Sequence, residues 1–203
     1  MVSTPPTAPR QLLDRAARRE SILRGAAAAF AEQGYASTSM EDVAAGAGIT
    51  KLIVYRHFAS KEELYDAVLE RVSDRWRDLF VAGLQSGPPS ATAVQALLRV
   101  AREDPAGFTL LWRHAAREPQ FADHAVDIRS RGVNAAEALL ASAGVDPGPL
   151  RRWAAETLIS YLVSSVLHWM ERGRDIDDDL FVGRVTRSIP AMIRAWTDDG
   201  TSG

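Results

Sequence analysis

The chain has 203 residues, a formal net charge of −2, 25% charged residues and 46% hydrophobic residues, the profile of an ordinary globular protein with a substantial core. It has no cysteine, which excludes disulfides, cysteine-ligated metals and thiol catalysis. The N-terminus lacks the apolar core of a signal peptide, and no apolar run approaches the ~20 residues that span a bilayer. We therefore expect a cytoplasmic protein with no membrane partner.

The two ends of the chain have no helical pattern. Residues 1–13 contain three prolines and no periodic apolar residues, so we expect a disordered arm, and residues 199–203 should form a flexible tail. From Asp14 onward, apolar residues recur at i, i+4 and i+8 and predict a first helix. That helix should end at Gly34, which suits a left-handed C-terminal cap.

Two short helices are predicted next. Thr38 and Glu41 have the spacing of a capping box and indicate the start of the second helix. Gly48 supplies a turn after it. Thr50 should then cap a third helix over residues 51–58.

The remainder of the chain is also helical in pattern. Ser60 and Glu63 repeat the capping-box spacing and open a long fourth helix toward Leu84. Pro190 should kink the last helix. Glycine and proline breakers divide the later helices, which cover residues 92–102, 104–118, 120–142, 150–172 and 178–197. No strand-like alternation occurs, so the sequence predicts an all-α protein of about nine helices.

The third helix contains three consecutive apolar residues, Leu52–Val54. Successive helical residues are about 100° apart, so all three cannot face one core. A helical wheel places Val54 and Phe58 on the inner side and Leu52, Ile53 and Arg56 on the outer side. The order of helix, short helix, glycine turn and second short helix is that of a helix-turn-helix motif, whose last helix enters the DNA major groove. The outer side would then contact thymine methyl groups and guanine.

A longer segment strengthens this interpretation. The stretch RESILRGAAAAFAEQGYASTSMEDVAAGAGITKLIVYRHFASKEELYDAVL resembles the DNA-binding domain of TetR-family transcriptional regulators. The matching positions are Ile22-Leu23, Phe30, Gly34-Tyr35, Thr38-Ser39, Val43-Ala44, Ala47-Gly48-Ile49, Tyr55, His57-Phe58, Ser60-Lys61-Glu62 and Leu64. The resemblance implies a DNA-binding domain over residues 14–60 and a larger helical effector-binding and dimerisation domain over residues 61–198.

The resemblance also implies roles for individual residues. Similar proteins contact phosphates from the positions that match Ser39, Thr50, Tyr55, His57 and Lys61. They contact bases, or approach them, from the positions that match Lys51, Leu52, Ile53 and Arg56. The family often has small or hydroxyl residues where Leu52 and Ile53 stand, and this departure leaves the identity of the bases open. Phosphate contacts and plain solvated charge remain equal alternatives for the arginines of the first helix and the arm, Arg10, Arg15, Arg18 and Arg19.

TetR-like regulators typically bind a small molecule in the C-terminal domain. We expect an apolar or amphipathic effector in a pocket lined by Phe108, Trp112, His114, Tyr161 and Trp169. Polar side chains at helical spacing would orient it, namely Thr157, Ser160, Ser164 and His168. The alternative for each aromatic residue is a place in the core.

The last two helices resemble those that pair between two subunits in this family. One apolar stripe consists of Leu158, Leu162, Ser165 and Trp169, and the other of Phe181, Val185, Ser188, Met192 and Trp196. A homodimer has a physical advantage, because two-fold symmetry doubles the contacts with a palindromic operator.

Two other classes of protein are compatible with parts of the sequence. A helical metal-dependent enzyme would use the pairs His114 and Glu118 or His124 and Asp127, which stand one helical turn apart and could hold a metal or serve acid–base chemistry. No known catalytic motif accompanies them, and no cofactor or metal site is predicted. A helical interaction module that has lost DNA binding is the second alternative. The favoured hypothesis is a homodimeric repressor that a small effector releases from its operator.

Overall fold

The computed structural model describes residues 15–197, which form nine α-helices and no strand. The helices are α1 (Arg15–Gln33), α2 (Met40–Gly46), α3 (Lys51–Tyr55), α4 (Lys61–Gly83), α5 (Pro89–Glu103), α6 (Pro105–Thr109), α7 (Ala122–Ser142), α8 (Pro149–Arg172) and α9 (Asp178–Thr197). The all-α prediction is confirmed. Within this part of the chain, no helix is long and apolar enough to cross a membrane. The predicted arm and tail lie outside the described residues.

The start of α2 differs from the prediction by one residue. The capping box is formed by Ser39 and Asp42: the Ser39 hydroxyl accepts from the Asp42 N–H at 3.2 Å, and the Asp42 carboxylate accepts from the Ser39 N–H at 2.8 Å. The predicted cap Thr38 is buried, and its hydroxyl donates to the Gly34 carbonyl at 2.7 Å. Thr38 therefore closes the corner between α1 and α2 and is not available as a cap.

Two predicted helices are shorter than expected. The third ends at Tyr55, because the N–H groups of His57 and Phe58 both bond to the carbonyl of Val54 and turn the chain. The segment expected as one helix over residues 104–118 is divided into α6, a π-helical turn (Leu110–His114) and a 3-10 turn (Ala115–Arg117). Leu110 and Leu111, at the start of the π-helical turn, are both buried.

The core of the N-terminal three helices is apolar and continuous with the rest of the protein. Its largest members are buried side chains from α1 to α3 and the residues that follow, namely Ile22, Leu23, Phe30, Val43, Val54 and Phe58. An aromatic cluster then links this unit to later helices. Tyr65 of α4 lies edge-on to Phe30 and Tyr35 and stacks on Phe121, with centroids 5.0, 5.2 and 4.2 Å apart.

A second link between the two regions is polar. Arg71 of α4 forms ion pairs with Glu20 of α1 and with Asp104, the N-cap of α6. The Asp104 carboxylate also accepts a hydrogen bond from the Gly107 N–H at 3.0 Å. One guanidinium therefore connects the first helix to the start of α6.

Helices α8 and α9 are fixed to each other inside the chain. Trp169 stacks on Phe181 at 4.8 Å and donates its indole N–H to Asp178 at 2.7 Å. The Tyr161 hydroxyl lies 2.7 Å from the Ser188 hydroxyl, within hydrogen-bond distance. α9 continues through Pro190 to its last described residue, so this proline does not end the helix.

Candidate nucleic-acid interface

Helix α3 is held by a tight turn on one side and by buried side chains on the other. Gly48 has φ +65°, a left-handed conformation that favours glycine, and the following Ile49 N–H bonds to the Ala44 carbonyl at 2.9 Å. Val54 and Phe58 are fully buried, as predicted. The orientation of α3 is therefore determined by its inner face.

The outer face of α3 exposes an apolar side chain beside basic ones. Leu52 is 62% exposed and Tyr55 is 44% exposed. Lys51 and Arg56 are also exposed. Ile53 is half-buried and not fully exposed, so the exposed stripe is narrower than the helical wheel indicated. An exposed leucine beside an arginine suits the floor of a DNA groove, where methyl groups and guanine acceptors lie side by side.

Some polar side chains around α3 already form ion pairs or hydrogen bonds within the protein, and others do not. Lys51 forms an ion pair with Glu41 of α2. The Ser39 hydroxyl donates to the Asp42 carboxylate at 2.6 Å and is committed to the cap of α2. Thr50 occupies the N-cap position of α3, but its side chain makes no capping hydrogen bond, so the predicted side-chain cap is wrong. Of the Ser39 and Thr50 hydroxyls, that of Thr50 is therefore the better candidate for a bond to phosphate.

Lys61 braces the interface from the first turn of α4. Its ammonium donates to the carbonyls of Tyr35 and Thr38, both at 2.9 Å, and lies 4.3 Å from the centroid of the Tyr35 ring. Two of its three N–H groups are therefore used within the protein. The third N–H has no hydrogen-bond partner among residues 15–197, and the bracing limits the directions in which it points.

We expect Lys61→Met to destabilise the protein by about 1 kcal/mol, because two partly buried carbonyls lose their donor. The melting temperature should fall by roughly 2–4 °C. Lys51→Met is the matched control, since it removes an exposed ion pair with Glu41 and an exposed contact with the Tyr55 ring and should leave the melting temperature nearly unchanged. Equal melting temperatures for the two variants would contradict the bracing role of Lys61.

A cluster of positive charge lies beside the end of α3. The side chains of Arg15, Arg18 and Arg19 in α1 are close enough to His57 to act on its titration. Burial of the imidazole, and then these three charges, hold the pKa of His57 below its usual 6.5. The Arg19 guanidinium also lies 5.1 Å from the centroid of the Phe58 ring. Arg10, which was grouped with these arginines, lies outside the described residues.

The residues predicted for an effector pocket do not come together around one cavity. Phe108 is buried, and with Trp112 it lines a narrow gap of about 20 Å³. Tyr161 and Trp169 instead bond to α9, and His114 is half-buried and lines none of the larger cavities of the described chain. Of the predicted polar residues, His168 bonds to its own helix through the Ser164 carbonyl at 2.7 Å. Ser160 likewise bonds to the Glu156 carbonyl, and Thr157 is half-buried.

A larger space lies elsewhere, in a groove of about 450 Å³ between α4, α5, α7, α8 and α9. Its walls include Trp76, Phe80, Leu139, Leu158, Ile189 and Ile193. No pattern in the sequence indicates this groove, because ordinary apolar residues from five separate helices form most of its lining. Only the packing of those helices reveals that their side chains leave a space.

The stripes predicted for a dimer interface are largely used inside the chain. Leu158, Leu162, Phe181 and Val185 are all buried by neighbouring helices of the same chain. The remaining members, Ser165, Trp169, Ser188, Met192 and Trp196, are half-buried. The large apolar side chains that α8 and α9 expose are Leu150, Trp153 and Leu180, and Trp153 lies edge-on to Trp196 at 5.5 Å.

One of the two pairs that suggested an enzyme, His124 and Asp127, has structural partners instead. His124 lies 3.5 Å from the Glu70 carboxylate, and Asp127 pairs with Arg131 at 2.6 Å. Across residues 15–197, no group of three or more His, Asp or Glu side chains is arranged to hold a metal ion.

The arrangement of α2, the glycine turn and α3 is that of a helix-turn-helix transcriptional regulator, not an enzyme, and comparison with known proteins agrees. Residues 22–68 match the family described as bacterial regulatory proteins, tetR family. The HTH-type transcriptional activator FasR of Mycolicibacterium smegmatis is 30% identical over 176 residues, which cover 82% of this chain and 78% of FasR. The chain belongs to the TetR family of transcriptional regulators.

Two further similarities support this assignment. The HTH-type transcriptional repressor KstR2 of Mycobacterium tuberculosis is 47% identical over 66 residues, which are 30% of this chain and 33% of KstR2. The crystal structure of a TetR-like transcriptional regulator from Rhodococcus sp. RHA1 superposes with a TM-score of 0.70 at 23% identity, covering 88% of this chain and 98% of that one. The fold is therefore that of a TetR-like regulator, with an N-terminal helix-turn-helix domain and a larger helical domain.

Proposed function

We propose that the protein is a homodimeric repressor that binds a palindromic operator through α3 and is released by a small apolar or amphipathic effector. The observation that carries this proposal is the outer face of α3, where Leu52 and Arg56 are exposed while Val54 anchors the helix. A protein gains nothing from exposing such a leucine to water, but it gains apolar contact with a thymine methyl in the groove. The domain boundaries proposed for these two functions remain residues 14–60 and 61–198.

The contacts with DNA divide into two kinds. Arg56 and Leu52 reach base edges, together with Lys51 and Ile53 at the margins of the same face. Phosphates are held around them by hydroxyl, imidazole and ammonium groups and by the arginines of α1, namely Thr50, Tyr55, His57, Lys61, Arg15, Arg18 and Arg19. Ser39 contributes least, since its hydroxyl already serves the cap of α2. Phosphate contacts position the helix and base contacts select the sequence.

A dimer supplies what a single short helix lacks. α3 spans only Lys51–Tyr55, so one copy meets few base pairs, and a second copy doubles those contacts on a two-fold symmetric site. We assign the contact between subunits to α8 and α9. Their exposed Leu150, Trp153 and Leu180 form its apolar part, in place of the predicted stripes, whose large aliphatic residues are mostly buried within the chain.

Release by an effector requires coupling between the groove in the larger domain and α1–α3. Arg71 supports this coupling, because it holds both Glu20 of α1 and the N-cap of α6. A ligand that favours a different position of α4 or α6 would shift α1 with it. The ligand thereby favours one spacing of the two recognition helices over another.

The proposal is tested by retention of genomic DNA fragments on the purified protein during a salt titration. We expect a few fragments to stay bound at salt concentrations that remove the bulk of the DNA. Retention of no fragment above the nonspecific background would reject the proposal and favour an interaction module that has lost DNA binding. The retained fragments would also provide the operator sequence.

The lowered pKa of His57 predicts a pH dependence of operator affinity. In the free protein, burial and three arginines keep the imidazole mostly neutral near pH 7. Bound phosphates favour the imidazolium and raise its pKa, so the complex binds more protons than the free protein. Affinity should therefore rise as the pH falls from about 7.5 to about 5.5.

Fluorescence anisotropy with a labelled operator measures this effect. His57→Gln should flatten the pH profile, whereas His168→Gln, an exposed change on α8, should leave it as in the unmodified protein. An unchanged profile in His57→Gln would remove His57 from the set of phosphate contacts.

A further inference from the structure

We infer that the groove between α4, α5, α7, α8 and α9 binds an aliphatic monocarboxylate, with its chain along the groove and its carboxylate against Arg194. This inference rests on the proposed function and deepens it by naming the chemical class of the effector. Three observations carry it: the apolar lining of the groove, the lack of a carboxylate partner for Arg194 within residues 15–197, and the narrow space beyond the groove.

The groove has the size and character of a small-molecule site. Its volume of about 450 Å³ is within the range of roughly 300–1,000 Å³ that such sites occupy. One wall is formed by Trp76 and Phe80, whose rings stack at 5.5 Å, and aliphatic side chains from α7, α8 and α9 form the rest. A ligand must therefore be mainly apolar to gain from burial here.

Arg194 is the one charged residue among those that line the groove in the described part of the chain. It is exposed on the last turns of α9, and none of the ion pairs formed within residues 15–197 includes it. Arg152 and Arg174, by contrast, each pair with carboxylates. A guanidinium that pairs with no carboxylate of residues 15–197 and lies beside an apolar groove suits a ligand that ends in a carboxylate, which it can bind through two parallel hydrogen bonds.

The groove leads toward a narrower space inside the domain. Trp76, Gly132 and Ile159 line both the groove and the gap of about 20 Å³ that reaches Phe108 and Trp112. That gap has room for about one water-sized group. The end of a methylene chain fits there, whereas a ring does not, so the shape favours an aliphatic ligand over an aromatic one.

Titration calorimetry with hexanoate, octanoate and decanoate tests the inference on the full-length protein. If the chain is buried in the groove, affinity should rise about fourfold for each added CH₂ group. Decanol, which has the same chain without the charge, should bind more weakly than decanoate by up to about fivefold, as expected for a partly exposed ion pair. No measurable binding of decanoate, or affinity independent of chain length, would overturn the inference.

Matched variants assign the binding to this groove. Ala135→Trp places a large side chain from α7 into the groove and should abolish binding, whereas Ala138→Trp, on the exposed side of α7, should not. Arg194→Gln should remove the preference for decanoate over decanol. Arg184→Gln, an exposed change on α9 away from the groove, should preserve that preference. Binding that survives Ala135→Trp would place the ligand elsewhere and overturn the inference.

The failure of this inference and the failure of the proposed function give different results. Retention of specific DNA by a protein that does not bind decanoate rejects the ligand class alone. Loss of specific DNA retention rejects the proposed function. If a second copy of the chain covers the groove instead, decanoate will not bind and Ala135→Trp will convert dimer to monomer in sedimentation velocity, which also overturns the inference.

Discussion

Gly107→Ala should destabilise the protein by about 2 kcal/mol, although alanine is the better helix former by ~1 kcal/mol. A Cβ at this position would lie 2.0 Å from the Asp104 Oδ2 and 2.9 Å from a methyl of the buried Val72. The Asp104 carboxylate would have to move, and α6 would lose its N-cap while Arg71 lost one of its two carboxylates. The melting temperature should fall by roughly 4–8 °C.

Gly46→Ala is the matched control for this change. Gly46 is also a helical glycine, but a Cβ there would meet nothing closer than the Gly25 carbonyl at 3.7 Å, an ordinary contact. We expect it to stabilise the protein by about 0.5–1 kcal/mol. A double-mutant cycle then identifies the cause: in an Asp104→Ala background, Gly107→Ala should cost much less, since the clashing carboxylate is gone. Additive effects of the two changes would show that the carboxylate is not responsible.

The contrast between Val54 and Thr38 shows what the sequence can and cannot predict. The burial of Val54 and the exposure of Leu52 followed from the angle between successive helical residues, which tertiary contacts do not alter. The cap of α2 did not follow, because Thr38 with Glu41 and Ser39 with Asp42 both have capping-box spacing. Burial of Thr38 in the corner after α1 decided between them, and that is a property of the packed protein.

Ion pairs between residues far apart in the chain could not be predicted from the sequence for a related reason. Arg71 pairs with Glu20 and Asp104, which are 51 and 33 positions away from it in the chain. In a sequence this rich in arginine, each arginine has many carboxylates that could be its partner. The apolar groove also depends on the packing of distant segments, since it is the space left where five helices meet. The helix-turn-helix was predictable because its parts are adjacent in the sequence. The groove was not, because the residues that line it are far apart in the sequence.

Arg56→Ala should have the largest effect on function. A guanidinium that bonds two acceptors of guanine contributes ~1–3 kcal/mol of discrimination. A homodimer on a palindrome loses this contribution twice, about 2–6 kcal/mol in all, so operator affinity should fall by roughly 30-fold to 10⁴-fold. Binding to random DNA should weaken far less, because Arg56 would then be one cation among several near phosphates.

Arg56→Lys separates geometry from charge. Lysine keeps the positive charge but cannot reproduce the two parallel hydrogen bonds. If Arg56 recognises a base, Arg56→Lys should lose most of the operator affinity that Arg56→Ala loses and retain the random-DNA affinity of the unmodified protein. If Arg56 only neutralises a phosphate, Arg56→Lys should bind both DNAs normally, and Arg56→Ala should weaken both equally and reduce the salt slope by about one unit per subunit. Arg56 is exposed and forms no ion pair in the described part of the chain, so its substitution should not disturb the fold. Anisotropy titrations of the three proteins on both DNAs distinguish these outcomes.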